Sequence, residues 1–557
     1  MSASSKKKLR KEQNAEMMTE RQRQEQSEAK KVRTLTVVFV AIMIAIVAAF
    51  LVTNVINGVA RSGIIEKNTI VATVGDQKLN TVTMNYYFYD AVNALQTETA
   101  NTYGDYANSY LNTMGLDLSK PLDEQVYDSE TGMTWADHFL DSAIDSAKSD
   151  YALYALANAD GEFKISDDAQ ANIDNTLMNL QFYAAFSGMS NVDAYLRNMY
   201  GNGSTEENFR EYLTVSTVAS EYYNNKVESM EYDDAAIRAY EAERYNEFSS
   251  YSFSSYYLPC NDFLTGGTTD DEGKTTYSDE EKENARKEAE KAALTLSDSK
   301  TSAELDEAIA ALSVYESKET KPKSTMNTDK LHTELMEDYA TWLSEEGRAE
   351  GDSKAFPSTS TSTDADGKET EVVNGYYVLL FHSRNDNLEK LSNVRHILIG
   401  FEGGTTDDEG NTTYSDEEKA AAKTKADELL KQWKDGEATE ESFIALVKDN
   451  TDDEASAETG GLYEEIHRES NFVPNFLNWS IDDTRKAGDT GVVESDYGYH
   501  IMYYVGEDEL TYRDFMIKEE MTNNDVSEWY EGIIEATTVV EGDSSKINKD
   551  LVFSPAA

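Results

Sequence analysis

The sequence predicts a multidomain α+β protein that is held to a membrane by one N-terminal transmembrane helix. Three observations predict this class: an uncharged run near the N-terminus, a long stretch of helical periodicity, and a 17-residue segment that occurs twice. A chain of 557 residues is too long for one hydrophobic core. At roughly 150 residues per domain, three or four folded units are expected.

The membrane helix is predicted from Leu35–Val55, LTVVFVAIMIAIVAAFLVTNV, which has no charge and is about the ~20 residues that cross a bilayer. Residues 1–33 hold ten Lys/Arg and five Asp/Glu, so the positive-inside rule places this tail in the cytoplasm and the rest outside. A cleaved signal peptide is the alternative, but the run is long for one. We expect a cytoplasmic tail over 1–33 and a membrane helix over 34–56, in an envelope of the Gram-positive type.

Composition excludes several classes of protein. The net charge of −55 argues against nucleic-acid binding, because a polyanion would repel the chain. A single cysteine, Cys260, excludes an intrachain disulfide framework, and six scattered histidines carry no zinc signature. The acidic TTDDEGN loop has its glycine in the wrong place for an EF-hand. We therefore expect neither a metal nor a cofactor.

A helical domain is predicted over residues 64–248. It starts with a short strand pair in TIVATVGDQKLN (69–80) and continues through segments whose apolar and aromatic residues recur at i, i+3, i+4 and i+7. The C-terminal region, 509–557, contains one more amphipathic helix at Thr511–Ala536. Because a lone helix cannot bury its apolar face, we expect it to pack back on the helical domain.

Two α+β domains are predicted between these helical parts, over 249–386 and 393–508. Residues 266–282 and 403–419 differ at one position only, which indicates a duplication. Each copy follows a strand and leads through a Ser-x-x-Glu capping box into a charged helix. Each domain ends in a strand that begins Gly-Tyr, at Gly375 and at Gly498.

Two histidines lie on the predicted strands of the second α+β domain. Strand alternation places Val394, His396 and Leu398 on one sheet face, and His500 and Met502 on one face. Two inward histidines in one small domain indicate a buried pair. From spacing alone, two ordinary core histidines are the favoured interpretation.

The second α+β domain resembles the parvulin, or rotamase-type, peptidyl-prolyl isomerases. The resemblance rests on VRHILI, the Gly-Gly after an acidic stretch, the Pro-x-Phe of NFVPNF, and the terminal Gly-Tyr-His, in that order. It implies catalytic positions and a proline pocket. The implied residues are His396, His500 and either Asp452 or Asp453 as the catalytic set, with Phe472, Phe476, Leu462, Tyr463 and Met502 around the prolyl ring.

The resemblance also implies the activity: cis/trans isomerisation of X–Pro bonds, which breaks no covalent bond and needs no cofactor. Aligned on the repeat, the first α+β domain has Tyr256 in the place of His396 and Tyr377 in the place of His500, and no Pro-x-Phe segment. We expect it to be a degenerate parvulin-like domain that acts as a spacer or binds clients.

The helical region resembles the chaperone module of PrsA/SurA-type foldases, through VATVGDQKLNTVTMNYYFYDA and its later helices. The expected protein is an extracytoplasmic foldase whose partners are unfolded secreted proteins containing X–Pro bonds. A homodimer is compatible with the sequence. The rival class is a membrane-anchored holdase whose two parvulin folds are structural only.

Overall fold

The fold is taken from a computed structural model, which describes residues 4–8, 10, 58–242, 244–271, 273–363, 369–407 and 412–549. The membrane helix predicted over 34–56 lies outside these residues. Within the described residues, no helix is both long enough and apolar enough to cross a bilayer. Contacts divide the chain into two compact units, residues 1–230 with 525–557 and residues 231–524. The domain boundaries that the sequence predicts, such as the one at residue 248, stay a prediction.

The first unit is mainly helical. A three-stranded antiparallel sheet, in the order β17-β1-β2, and a two-stranded ribbon, β3–β4, accompany its helices. Its helices are α1 (Ile64–Asn68), α2 (Thr81–Tyr103), α3 (Ala107–Thr113), α4 (Trp135–Ala159), α5 (Asp167–Phe186), α6 (Val192–Tyr200) and α7 (Glu206–Glu228). Its strands are β1 (Ile70–Val74), β2 (Gln77–Asn80), β3 (Val126–Asp128), β4 (Met133–Thr134) and β17 (Val539–Glu541).

Local sequence explains where these helices begin. Asn80, Thr134, Ser166 and Thr205 each accept a hydrogen bond from a backbone amide of the first turn, which satisfies one of the amides that a helix start leaves unpaired. The apolar faces then meet in one core, in which Phe88, Trp135 and Phe139 are at most 2% exposed.

Residues 525–536, the end of the C-terminal helix α16 (Tyr512–Ala536), belong to the first unit. There Tyr530 Oη lies 2.5 Å from Ser149 Oγ. The Trp529 ring lies 6.0 Å from that of Tyr223. The strand after the helix, β17, pairs with β1. These contacts are the packing that the amphipathic pattern of Thr511–Ala536 predicts.

The second unit contains two four-stranded antiparallel sheets. The first sheet has the order β8-β5-β10-β9 and the second has the order β14-β11-β16-β15. The strands of the first are β5 (Ser250–Pro259), β8 (Thr325–Leu331), β9 (Ser353–Thr363) and β10 (Glu369–Asn385). Those of the second are β11 (Lys390–Gly400), β14 (Leu462–Ile466), β15 (Thr490–Glu494) and β16 (Gly498–Thr511).

Helices and two short hairpins complete this unit. Each four-stranded sheet has longer helices on one face and a short helix on the other. The helices are α8 (Asp234–Ala242), α9 (Asp279–Leu296), α10 (Ser302–Ala310), α11 (Glu337–Ser344), α12 (Asp416–Asp435), α13 (Glu440–Asn450), α14 (Glu454–Ala457) and α15 (Pro474–Ser480). The repeated acidic segments form the hairpins β6 (Thr268–Thr269) with β7 (Thr275–Thr276), and β12 (Thr405–Thr406) with β13 (Thr412–Thr413).

The two sheet domains share details beyond their strand order. The guanidinium of Arg348 lies 4.2 Å over the Trp342 ring and that of Arg485 lies 3.9 Å over the Trp479 ring. In both cases the arginine Nε donates to the carbonyl oxygen of the same tryptophan. In each pair the tryptophan lies on a short helix over the sheet, and the arginine follows six residues later, after that helix has ended. The two domains therefore share this packing detail as well as their strand order.

A buried arginine joins several segments of the second unit. Arg513, in the first turn of α16, is 0% exposed. Its guanidinium donates to the Glu241 carboxylate and to the carbonyl oxygens of Tyr245, Phe248 and Asp386. Burial acts to raise the pKa of Glu241, but hydrogen bonds from Arg238 and Arg513 outweigh it and hold that pKa below its ordinary value.

Candidate active site

The histidine pair is formed by two neighbouring strands of the second sheet. His396 of β11 pairs with Met502 of β16, and His500 pairs with Leu398. Residues that pair directly share a sheet face, so both imidazoles lie on the same side. Their Nδ1 atoms are 3.1 Å apart, and the two residues are only 3% and 6% exposed. The structure therefore brings the two predicted histidines into contact.

Asp453 is the carboxylate next to this pair. Its Oδ2 lies 2.9 Å from His396 Nε2. The sequence left Asp452 and Asp453 as alternatives, and the structure separates them. Asp452 turns the other way and accepts a hydrogen bond from the Gly400 amide at 2.8 Å. Asp452 thus caps the backbone at the end of β11. Among the described residues, it forms no hydrogen bond with an imidazole.

Serine and tyrosine hydroxyl groups complete the polar part of the site; the sequence indicated neither serine, and it indicated Tyr463 only as a residue around the prolyl ring. Ser495 Oγ lies 2.8 Å from His500 Nε2. Ser456 Oγ and Tyr463 Oη donate to Asp453 Oδ2 at 2.5 and 3.1 Å. Ser456 and Ser495 stand in loops or short helices, where strand alternation gives no signal.

Burial and hydrogen bonds shift the pKa values of His500 and Asp453, two ionisable groups of this network. Burial lowers the pKa of His500 to about 4, and the neighbouring His396 acts in the same direction. The hydrogen bond from His396 holds the pKa of Asp453 well below its ordinary range, with help from Ser456 and Tyr463 against the effect of burial. At neutral pH the site therefore contains a carboxylate beside an uncharged His500.

Aromatic rings pack against the two imidazoles. Phe476 is 2% exposed, and its ring centroid lies 5.3 Å from that of His396 and 5.4 Å from that of His500. Phe472, half-buried, stacks on Phe476 at 4.9 Å. Met502 lies fully buried in the same apolar cluster. The structure brings together these three residues, which the resemblance assigns to the proline pocket.

Leu462 does not line this pocket. It pairs with Arg395, whereas Tyr463 pairs with Val394. Side chains alternate between faces along a strand, so Leu462 shares the face of Arg395 and Tyr463 shares the face of His396. Tyr463, whose ring lies 5.1 Å from that of Phe472, is the pocket wall that β14 supplies.

Gly461 brings β14 against the backbone of His396. Its φ of +73° suits glycine, and an added Cβ would lie 2.2 Å from the His396 carbonyl oxygen. We expect Gly461→Ala to lower the free energy of unfolding by about 2 kcal/mol or more and to displace His396. Gly488→Ala is the control, because Gly488 has a similar φ of +90° and no atom within 4 Å of an added Cβ. Equal losses in thermal unfolding would contradict this account.

The first sheet domain lacks the histidine pair, but not in the way the repeat alignment indicated. With Gly375 of β10 matched to Gly498 of β16, the partner at the His396 position is Ser255. Tyr256 lies on the opposite face, where its hydroxyl donates to Tyr315 Oη. Tyr377 does occupy the His500 position.

The aromatic floor has a counterpart in the first domain, where the sequence indicated none. Tyr339 and Trp342 on α11 occupy the positions of Phe476 and Trp479 on α15. The Tyr339 ring packs 5.0 Å from Phe356 and 5.8 Å from Tyr377. The first domain thus fills this face with its own aromatic rings.

The site combines two buried imidazoles, the Asp453 carboxylate, neighbouring hydroxyl groups and the Phe476 ring. Among the described residues, no group of three or more His, Cys, Asp and Glu side chains is placed to hold a metal ion. A paired four-stranded sheet, two buried imidazoles and a phenylalanine floor define a rotamase-type domain. Residues 378–507 match the family model described as the PPIC-type PPIASE domain. This part of the chain is therefore a parvulin-type domain.

Several solved structures show similarity to the chain. They include PrsA from Bacillus anthracis (20% identity over 27% of this chain and 59% of that chain, TM-score 0.17). PrsA from Bacillus cereus matches at 23% identity over 27% and 49%, with a TM-score of 0.17. PrsA from Bacillus subtilis matches at 12% identity over 78% and 98%, with a TM-score of 0.25.

The alignments with the Bacillus anthracis and Bacillus cereus proteins span about half to three-fifths of those relatives' length. No curated protein matches the chain. The assignment of function therefore depends on the site and on the family match of residues 378–507.

Proposed function

We propose that this protein is an extracytoplasmic foldase that isomerises X–Pro peptide bonds in unfolded secreted chains. The observation that carries the proposal is the contact of His396 and His500, at 3.1 Å, directly over the Phe476 ring. An X–Pro bond crosses a barrier of roughly 18–20 kcal/mol and takes tens of seconds unaided. A pocket that binds the twisted peptide more tightly than the planar one lowers that barrier.

The roles of the residues follow from their surroundings. The half-buried Phe472, backed by the buried Phe476 and Met502, offers an apolar surface that takes the prolyl ring out of water. The twisted amide has lost resonance, and its carbonyl is less polar than in the planar form, so a water-poor site favours it. The imidazoles order the pocket through their hydrogen bonds. The Asp453 carboxylate sets the local field, and no proton transfer to the substrate is needed.

The experiment that tests this function is a proline-peptide isomerisation assay on the full chain and on His500→Ala. Isomerisation by the wild type that is lost in a folded His500→Ala supports the foldase. A folded, inactive wild type supports the alternative, a holdase whose parvulin folds are structural.

Binding of unfolded clients is supported by an exposed apolar stripe on α5. Met178, Phe182 and Phe186 follow one another at four-residue spacing and are 62%, 68% and 83% exposed. Residues 175–191 contain no charged side chain, in a chain with 28% charged residues. Flexible methionine and exposed aromatic side chains suit a surface that binds many apolar sequences.

We expect the double variant Phe182→Ser with Phe186→Ser to lose at least half of the wild type's suppression of client aggregation. Isomerase activity should not change, since the pocket lies in the other unit. Asn175→Ser with Asn179→Ser, on the same helix, is the matched control. Equal suppression by the wild type and the Phe182/Phe186 variant in a light-scattering assay would show that clients bind elsewhere.

Stability should depend on pH through His500. Its folded pKa of about 4 lies below the ordinary 6.5, so as the pH falls the unfolded chain takes up this proton first. The stability that the neutral imidazole contributes is complete above pH 6.5 and is lost towards pH 4. The expected loss is about 3 kcal/mol.

The measurement is the free energy of unfolding, from amide hydrogen exchange, of wild type and His500→Gln at pH 7 and pH 4. The variant lacks the titrating group, so the difference between the two proteins should shrink by about 3 kcal/mol at the lower pH. A difference that is the same at both pH values would contradict the neutral, buried state of His500.

We propose that a membrane helix at 34–56 anchors the protein with its folded units outside the cell. The support is the uncharged run of Leu35–Val55 and the basic residues before it. Fractionation of cells, combined with protease treatment of intact protoplasts, tests this location.

A further inference from the structure

We propose that Tyr463 is a positioning residue of the isomerase site, whose hydroxyl holds Asp453 against His396 and so decides which imidazole nitrogens carry protons. Its catalytic consequence rests on the proposed function. The positioning itself does not, because it can be observed on the imidazoles directly.

Three donors meet at one oxygen atom of Asp453. His396 Nε2, Ser456 Oγ and Tyr463 Oη lie 2.9, 2.5 and 3.1 Å from Oδ2. An ionised carboxylate only accepts hydrogen bonds, so each of the three groups must place its hydrogen on this oxygen. Hydrogen bonds to a charged acceptor are about twice as strong as neutral ones, which makes Oδ2 the anchor of the network.

Of the two hydroxyl donors, Tyr463 has the more restricted side chain. It lies on β14, opposite Val394 in the sheet. Its ring packs at 76° on Phe472 and lies 5.3 Å from the His396 ring. Ser456, by contrast, stands on the four-residue helix α14. A phenol fixed by a strand and two rings has little rotamer freedom to lose, so it can hold the carboxylate at low entropic cost.

The position of Asp453 in turn sets the protons on both rings. With His396 neutral, Nε2 donates to Asp453, and Nδ1 must accept. His500 Nδ1 is then the donor across the 3.1 Å contact, and His500 Nε2 accepts from Ser495 Oγ at 2.8 Å. The hydrogen bonds are therefore all donated in one direction, from Ser495 through both imidazoles to Asp453. Without a fixed Asp453, the opposite direction becomes equally available.

The first sheet domain offers an internal comparison. Asn327 pairs with Phe253 at the register position where Tyr463 pairs with Val394. Ser255 and Tyr377 stand in place of the histidines. Yet the tryptophan–arginine pair and the aromatic floor are kept, as Trp342 and Tyr339. The first domain thus has neither the imidazoles nor a tyrosine at the position of Tyr463, whereas it keeps the apolar residues. This pattern is expected if Tyr463 belongs to the hydrogen-bond network of the imidazoles.

The test is Tyr463→Phe in the full chain, which keeps the ring and removes the hydroxyl. The chain has six histidines, so selective labelling of histidine rings with 13C and 15N gives few signals, and His396→Gln and His500→Gln assign them. Tyr503→Phe is the matched control, because Tyr503 packs on the opposite sheet face against Phe443.

We expect the ring nitrogen signals of His396 and His500 in Tyr463→Phe to move towards a mixture of tautomers. We also expect kcat/KM for a proline peptide to fall about tenfold at pH 7, mainly in kcat, with its acidic limb moved to higher pH. Tyr503→Phe should match the wild type in all three readouts.

Imidazole signals and a pH profile in Tyr463→Phe that superimpose on those of the wild type between pH 4 and 8 would overturn the proposal. Should Tyr463→Phe not fold, Ser456→Ala removes another donor from the same oxygen. Unchanged tautomers in that variant overturn the anchoring role of Oδ2, and shifted ones support it. An inactive wild type whose imidazoles still respond to Tyr463→Phe would refute the proposed function and leave the positioning role supported.

Discussion

Phe476→Ala is expected to lower kcat/KM for proline-peptide isomerisation by roughly 30- to 1000-fold. The phenylalanine is 2% exposed and touches both imidazoles and Phe472. Losing a buried aromatic anchor at a binding site removes about 2–4 kcal/mol, and each 1.4 kcal/mol corresponds to a tenfold change in rate. The loss falls on the activated state because the pocket must hold the prolyl ring while the peptide plane turns.

The matched control is Tyr339→Ala, in the equivalent position of the first sheet domain. It makes a similar cavity but lies in a domain without the histidine pair, so isomerase activity should stay within about twofold of wild type. Thermal unfolding of both variants separates loss of fold from loss of function. A folded Phe476→Ala with wild-type kcat/KM would mean that the prolyl ring binds elsewhere.

Arg513→Ala is expected to lower the free energy of unfolding of the second unit by about 3–5 kcal/mol. The substitution leaves the Glu241 carboxylate, 8% exposed, without its buried partner. It also leaves the carbonyl oxygens of Tyr245, Phe248 and Asp386 without the guanidinium. These groups belong to the segments where both sheets begin and end, so their loss should loosen both domains.

Lys431→Ala is a suitable control because Lys431 pairs with Asp435 in the same unit and the two side chains are 76% and 66% exposed. An exposed ion pair is worth about 0–1 kcal/mol. Amide hydrogen exchange in β5 and β10 measures the opening free energy of the unit directly. Similar protection in Arg513→Ala and Lys431→Ala would show that the buried arginine is dispensable.

Much of the second sheet domain could be predicted from residue patterns. Strand alternation identified His396, His500 and Met502 as facing one side, and the structure places their side chains there. The Ser415 and Glu418 capping box marked the start of α12, and both of its hydrogen bonds are present. These features depend on short-range rules, in which each residue's neighbours along the chain decide the outcome.

Errors arose where pairing between distant strands decides the face. Aligning the two domains on the repeated loop puts Tyr256 in the place of His396, whereas the strand pairing puts Ser255 there. An error of one residue in register moves a side chain to the other face of a sheet. The resemblance implies both Leu462 and Tyr463 around the prolyl ring, but adjacent residues of a strand face opposite sides, and the pairing of Tyr463 with Val394 decides which of them faces His396. Asp452 and Asp453 are adjacent in a loop, where only the fold decides which carboxylate meets the imidazole.

The most direct test of the account is the relaxation rate of a cis-proline peptide mixed with the full chain, compared with His396→Gln/His500→Gln. The account predicts that catalytic amounts of the wild type accelerate the slow phase many-fold and that the double variant, still folded by circular dichroism, leaves it at the uncatalysed rate. An equal acceleration by both proteins, or by neither, would contradict an isomerase site built on this histidine pair.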